Sequence, residues 1–336
     1  MMASRFFLSI GCCMALAFQH VCADGGRLIA TGGASSLEGA AGGGITPWAM
    51  LAGYGEQNEW GATAFATSVN LPDYRLDVAG LAVAYDNRVE LSFARQRFDL
   101  GSLVNKLNLP DDHLDQDIYA IKVRLFGDVI YDTLPQVSVG LQYKHQNDFL
   151  IPSLVGARRD SDTEGYLAAS RLFMGAAFGY NLLVNGSLRY SRANELGLLG
   201  FGGDRRDTRS VLKEGSLAVL LNPRWALGIE YRQKPDNLSF SGESDWSDLF
   251  VGYFPNKHVS MVLAYARLGE IATLDRQNGL YLSIQGASDA WGPVDDHRAA
   301  GRVHTTLAQG RQPLSKPRRP AGNYRDRRGH VAEHRP

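Results

Sequence analysis

The sequence predicts an all-β protein, a transmembrane antiparallel up-and-down β-barrel of 12–14 strands. Three observations predict it. Between residues 24 and 285, hydropathy alternates residue by residue in short segments of about ten residues, the length that crosses a bilayer as a tilted strand. The connections between those segments alternate between short and long. Finally, Gln277–Gln285, QNGLYLSIQ, sets a polar residue, then Gly279, then apolar Leu282 and Ile284 on one face, as a half-buried closing strand requires. Closure is needed because, in lipid, every backbone N–H and C=O must be paired and no sheet edge can stay open.

Counting back from the closing strand, strands are expected near 277–285, 257–268, 245–254, 224–233, 211–221, 181–191, 164–175, 135–146, 116–126, 88–98, 74–85 and 60–71. Two weaker candidates, 48–54 and 27–32, come before them and would raise the number to fourteen. If the closing strand ends in the periplasm, the short connections fall there and the longer 99–115, 147–163, 192–210 and 234–244 fall outside, the outer-membrane pattern. The tight turn at Pro72–Asp73 is the exception. Gly-rich 32–44 reads either as an outer loop or as a plug folded into the lumen, since glycine suits close packing and flexibility alike.

Parity then sorts the side chains. In the strand around Trp225–Tyr231, Trp225, Leu227, Ile229 and Tyr231 alternate with Ala226, Gly228, Glu230 and Arg232. A basic side chain on the lipid face at mid-bilayer costs roughly 2–4 kcal/mol, so the charged parity faces the lumen. Glu90, Lys122, Arg124, Lys144, Arg189, Glu230 and Arg232 form the expected lumen lining, of mixed sign. They either line a water-filled path or pair with one another and close it.

On the other parity, five upward strands end in Phe93, Tyr143, Tyr190, Tyr231 and Tyr265, an expected aromatic girdle at the membrane interface. Arg95, Arg192 and Arg267 stand two residues beyond members of that girdle. There a guanidinium can meet lipopolysaccharide phosphate, which it clamps with two parallel hydrogen bonds.

The two ends differ from the middle. Residues 1–23 read as a cleavable secretory signal peptide, with Arg5, an apolar stretch over Phe6–Phe18 and small residues before Asp24. Cys12, Cys13 and Cys22 all lie within it, which excludes a disulfide framework and thiolate chemistry in the exported chain. Residues 286–336 form a basic tail expected to be disordered, with net charge +5 against no visible periodicity. That tail is either a native arm or the product of out-of-frame translation beyond a barrel that ends near Ile284. The segment between, 24–285, is one mildly acidic barrel domain.

LEGAAGGGITPWA (37–49), RVELSFARQRFD (88–99), LGFGGDRRD (199–207), EYRQKPDNL (230–238) and PNKHVS (255–260) together resemble the proteobacterial family known as domain of unknown function 3034. The resemblance spans about residues 25–285 and implies an exported outer-membrane protein. It carries over no catalytic residues. This chain departs from the family at its end, where a terminal aromatic is expected after Gln285.

No catalytic, cofactor or metal site is expected. His258 and Ser260 share a strand and have the residue types of a hydrolase pair, but their parity points them inward, away from lipid. His113, His145, Asp111, Asp112 and Asp115 gather near outer loops without metal-ligand spacing. Gly200–Asp204 reads as a glycine-turned outer loop. The expectation is an outer-membrane pore or small-solute channel without covalent chemistry. Its expected partners are membrane lipid, lipopolysaccharide and, during insertion, the barrel-assembly machinery, with no nucleic acid. The alternatives are a plugged structural or partner-binding barrel and, less favoured, a lipid-modifying enzyme.

Overall fold

The computed structural model describes residues 33–291. Twelve antiparallel strands close into one barrel. They are β3 (Trp60–Asn70), β4 (Arg75–Tyr85), β5 (Val89–Asp99), β6 (His113–Phe126), β7 (Gln136–Gln146) and β8 (Ser161–Ala177) in the first half. The second half holds β9 (Tyr180–Ser191), β10 (Ser210–Asn222), β11 (Trp225–Arg232), β12 (Trp246–Asn256), β13 (Val259–Arg267) and β14 (Asn278–Ala287). The seam joins β14 to β3, from Leu280 opposite Asn70 to Ala287 opposite Thr63, so the sheet has no free edge. Ahead of the wall, β1 (Ala34–Ser35) pairs with β2 (Ala41–Gly42) inside the barrel.

The number of wall strands is therefore twelve. Of the two weaker candidates, 27–32 lies outside the described residues. The other, 48–54, runs as irregular chain inside the lumen. Its alternation is genuine, but a closed wall offers it no edge to pair with. At the other end, the strand expected to stop at Gln285 continues to Ala287, with Gly286 opposite both Val259 and Ala64. Trp291 then bridges Trp60. Gly286 and Ala287 are small residues that add no alternation of their own, so periodicity alone does not reveal the extension. Residues 1–32, with the expected signal, and 292–336, with most of the expected tail, lie outside the described residues.

The wall is inverted relative to a soluble barrel. On β11, Trp225, Leu227, Ile229 and Tyr231 are exposed while Ala226, Gly228, Glu230 and Arg232 are buried. Leu81, Leu91, Leu141, Leu167, Leu188, Leu217, Leu249, Leu263 and Leu282 continue the exposed apolar belt around the other strands. A continuous apolar outside on a closed sheet is what a bilayer solvates. The connections sort as expected. One end has the tight turns between β8 and β9, β10 and β11, and β12 and β13; the other has the long loops, two of which carry α1 (Ser102–Leu107) and α2 (Leu150–Leu154). The loop over 192–209 dips inward, and Leu196, Leu198, Leu199 and Phe201 are buried beneath the outer mouth.

Candidate functional site: a plugged lumen

The lumen is occupied. Every residue from Gly33 to Ala52 is buried, threaded through the barrel ahead of the first wall strand. The segment has little regular structure, so most of its backbone polar groups need partners other than its own, and the wall side chains supply many of them. Glu90 accepts from the amides of Ala41 (3.2 Å) and Ala52 (2.7 Å). Lys122 donates to the carbonyls of Ala41 and Met50, both at 2.8 Å. Glu230 accepts from the Ile45 amide (2.8 Å) and the Thr46 hydroxyl (2.6 Å), while Arg232 donates to the Ile45 carbonyl at 3.0 Å. Ser170 accepts from the Ala49 amide, and Gln136 and Ser138 donate to its carbonyl. Gln96 and Asn185 hold the carbonyls of Leu37 and Pro47.

Glu38 forms the hub. Its carboxylate is fully buried and meets Arg232 through two hydrogen bonds of 2.8 Å, Arg189 at 3.0 Å and Lys144. The three cations are shared with wall carboxylates: Arg189 reaches Glu214 at 2.6 Å and Glu164 at 2.7 Å, and Lys144 reaches Glu164 at 2.5 Å. Buried ions survive only when paired and hydrogen-bonded, and here one plug carboxylate completes a cage that the wall alone leaves cation-rich.

Small residues make this threading geometrically feasible. A Cβ at Gly43 would lie 1.8 Å from the Glu230 carboxylate, one at Gly42 would lie 2.4 Å from the Thr46 carbonyl, and one at Gly44 would press on Tyr281. Gly43 and Gly44 thus mark a close approach between plug backbone and wall, and Gly42 a close turn within the plug.

Of the seven lumen residues expected from parity, Glu90, Lys122, Lys144, Arg189, Glu230 and Arg232 are buried inside the barrel, bonded to the plug or its cage. Arg124 stands apart at the short-turn mouth, where it pairs with Asp128 and donates to the Gly127 carbonyl. Glu38, Glu164 and Glu214 went unnoticed in the sequence. Glu164 and Glu214 share the inward parity of their strands and could have been read from it. Glu38 has no periodic context at all.

Tyr143, Tyr190, Tyr231 and Tyr265 are exposed, and Phe93 is half-buried against Tyr119. The three expected rim arginines diverge. Arg267 is exposed. Arg95 is exposed but contacts Asp115 and Asp117. Arg192 is largely covered and grips Asp162 at 2.7 Å, which leaves its guanidinium little room for an external phosphate.

His258 and Ser260 are both buried and inward-facing, and no hydrogen bond joins them among the described residues. His113, Asp115 and Asp148 bring ligand atoms within 4.8 Å of one another at the outer rim, yet Arg95 already sits 3.3 Å from Asp115.

A family model described as protein of unknown function (DUF3034) matches residues 31–285. No curated protein matches the chain. Among solved structures, the fold is similar to a KdgM porin in complex with disordered oligogalacturonate, at 9% identity and TM-score 0.43, covering 67% of this chain and 98% of that one. It is similar also to the outer membrane protein Omp33 of Acinetobacter baumannii, at 8% identity, TM-score 0.42 and coverage of 69% and 99%. A COG4313 outer membrane channel from Pseudomonas putida F1 has 10% identity, TM-score 0.39 and coverage of 71% and 97%. The strand pairing itself establishes the closed barrel.

Proposed function

We propose that this chain, which belongs to the DUF3034 family, is an outer-membrane β-barrel that serves as a small-solute channel, held shut by its own plug and performing no covalent chemistry. The observation that carries this reading is how the plug is attached. Among the described residues its two short strands pair with each other, and it meets the wall through side-chain hydrogen bonds, ion pairs and the apolar packing of Leu37, Ile45 and Trp48. It can leave without breaking a ladder of the barrel. A lumen filled for strength alone would be better served by a dry apolar core, since buried ion clusters add little net stability.

Lipopolysaccharide beside the exposed Arg95 and Arg267, and the barrel-assembly machinery during insertion, are the partners that go with this reading. Planar-bilayer conductance of the refolded chain tests it. Wild-type protein should show rare, brief steps, and Glu38→Ala should show frequent ones. Silence from both, with the barrel folded, would favour the plugged partner-binding alternative.

A further inference from the structure

Below the ionic cage the inward-facing residues change character. On β8 the inward series runs Glu164, Tyr166, Ala168, Ser170, Leu172 toward the short-turn end. On β10 it runs Glu214, Ser216, Ala218, Leu220. On β9, read toward the same end, it runs Arg189, Ser187, Asn185, Leu183. Neighbouring strands add Ala226, Phe250 and Val262 at that level, and Trp48, Met50 and Leu51 of the plug form the ceiling. The β6–β7 connection folds across one side, where the Leu172 amide donates to the Val129 carbonyl at 2.8 Å. Together these surfaces enclose a cavity of about 410 Å³ that the plug does not fill.

Apolar residues face inward elsewhere too, as Phe65, Val69, Phe98 and Ile118 do, but those cluster with Leu37 and Ile45 of the plug, whereas the chamber residues border open space. The chamber has a mainly apolar lining, with Glu56, Asn87, Asp128 and Gln136 among its polar members, so it suits a mainly apolar molecule that keeps one polar group. Its volume falls within the range of about 300–1,000 Å³ typical of small-molecule sites. Among the described lining residues the charged ones are Glu56 and Asp128, and Asp128 is paired with Arg124 at 3.3 Å. An anion would therefore find no Lys or Arg to pair with among the described lining residues. A neutral apolar molecule with one polar tip fits, the tip facing Gln136 or the mouth.

We propose that this chamber is a binding site for an uncharged, mainly apolar small molecule of about the size of a fused two-ring aromatic, entering from the short-turn mouth. The inference goes beyond the channel reading and holds whether or not the plug moves. Gly33, the first described residue, is itself in the lining, so the test includes occupancy by the chain before it as an outcome.

Calorimetric titration of the full chain in lipid nanodiscs with 1-naphthol, against empty nanodiscs, tests the site. Saturable binding is expected with the wild-type chain. It should be lost in Ala226→Trp, which fills the chamber, and in Leu183→Gln, which adds a polar group to its wall. Heat-modifiable migration establishes that each variant still forms the barrel, and either folded variant suffices for the test. 1-Naphthoate, the same ring system with a carboxylate, should not bind. The proposal is overturned by absence of saturable naphthol binding, by binding that persists in a folded variant, or by equal binding of naphthoate. It is overturned equally if binding appears only after residues 24–32 are replaced by a Gly/Ser stretch of the same length, because that segment is then the occupant. Conductance of Glu38→Ala is read separately, so failure of this site and failure of the channel reading remain distinct.

Discussion

The mid-lumen cage and the chamber beneath it are both enclosed by the same strands, yet they are built on opposite principles. In the cage, Glu38, Lys144, Arg189, Arg232, Glu164 and Glu214 meet at ion-pair distance and leave no gap. In the chamber, Leu172, Leu183, Leu220 and Phe250 face a void. Fixing a removable segment needs directional contacts that can be exchanged for water. Holding a variable small guest needs unspecific apolar walls. One stretch of strand supplies both because the inward parity changes chemistry partway along it.

The largest effect should come from breaking the cage. Glu38→Ala leaves three buried cations short of a partner, and removal of one member of a buried ion cluster typically costs about 3–5 kcal/mol. The loss should fall on plug docking, since the wall ladders are untouched. Limited proteolysis within 33–52 in a barrel that still migrates heat-modifiably would record it. Gly43→Val should come next: its side chain collides with the Glu230 carboxylate, and overpacking of this kind typically costs 1–3 kcal/mol or more. In the chamber, by contrast, Leu183→Ala should cost only about 2 kcal/mol, the low end for a buried leucine, because part of its surface already faces a cavity. Thermal unfolding of these variants in one detergent would rank them. A Leu183→Ala loss as large as that of Glu38→Ala would erase the contrast.

A smaller, pH-dependent effect belongs to the outer cap. Buried Lys234 lies 2.8 Å from both Glu195 and Glu243 in the loops between β9 and β10 and between β11 and β12. One ammonium neutralises only one carboxylate. Burial, then the neighbouring Glu243 charge, push the Glu195 carboxyl up to about 8. A carboxyl raised in the folded state is a stability term present at low pH and lost as pH climbs from its unfolded value, near 4.5, through about 8. Protection of residues 194–201, taken as their exchange relative to the intrinsic base-catalysed rate, should thus fall between pH 5 and pH 9, and Glu195→Gln should flatten that dependence. The fall in protection would be expected near this loop and absent from the mid-lumen cage.

The wall was legible from sequence and its contents were not, for a physical reason. A strand solvated by lipid on one side must alternate, so β11 and β7 announced themselves, and the lipid-face penalty assigned Lys122, Lys144 and Arg232 their direction. The plug obeys no period. Its Gly and Ala residues fit because wall side chains reach across to its backbone, a long-range match between Ile45 and Glu230 or Ala49 and Ser170 that no local window contains. The segment 48–54 shows the ambiguity directly, since its alternating apolar residues serve as the chamber ceiling instead of a strand. The same holds for inward apolar residues such as Leu172, Leu183 and Leu220, or Phe65 and Ile118 on other strands, which break the polarity rule that located the charged lumen residues.

Thr46 and Ser216 place their hydroxyls 3.0 Å apart, one on the plug and one on β10, close enough for a cysteine pair to bridge. The chain from Asp24 onward contains no other cysteine. Single-channel recording of Thr46→Cys/Ser216→Cys, oxidised and then reduced in the same bilayer, tests plug closure most directly. If the plug is the gate, conductance steps should vanish on oxidation and return on reduction. Steps that persist unchanged in the bridged protein would contradict it, because solute would then be passing while the plug is fixed in place.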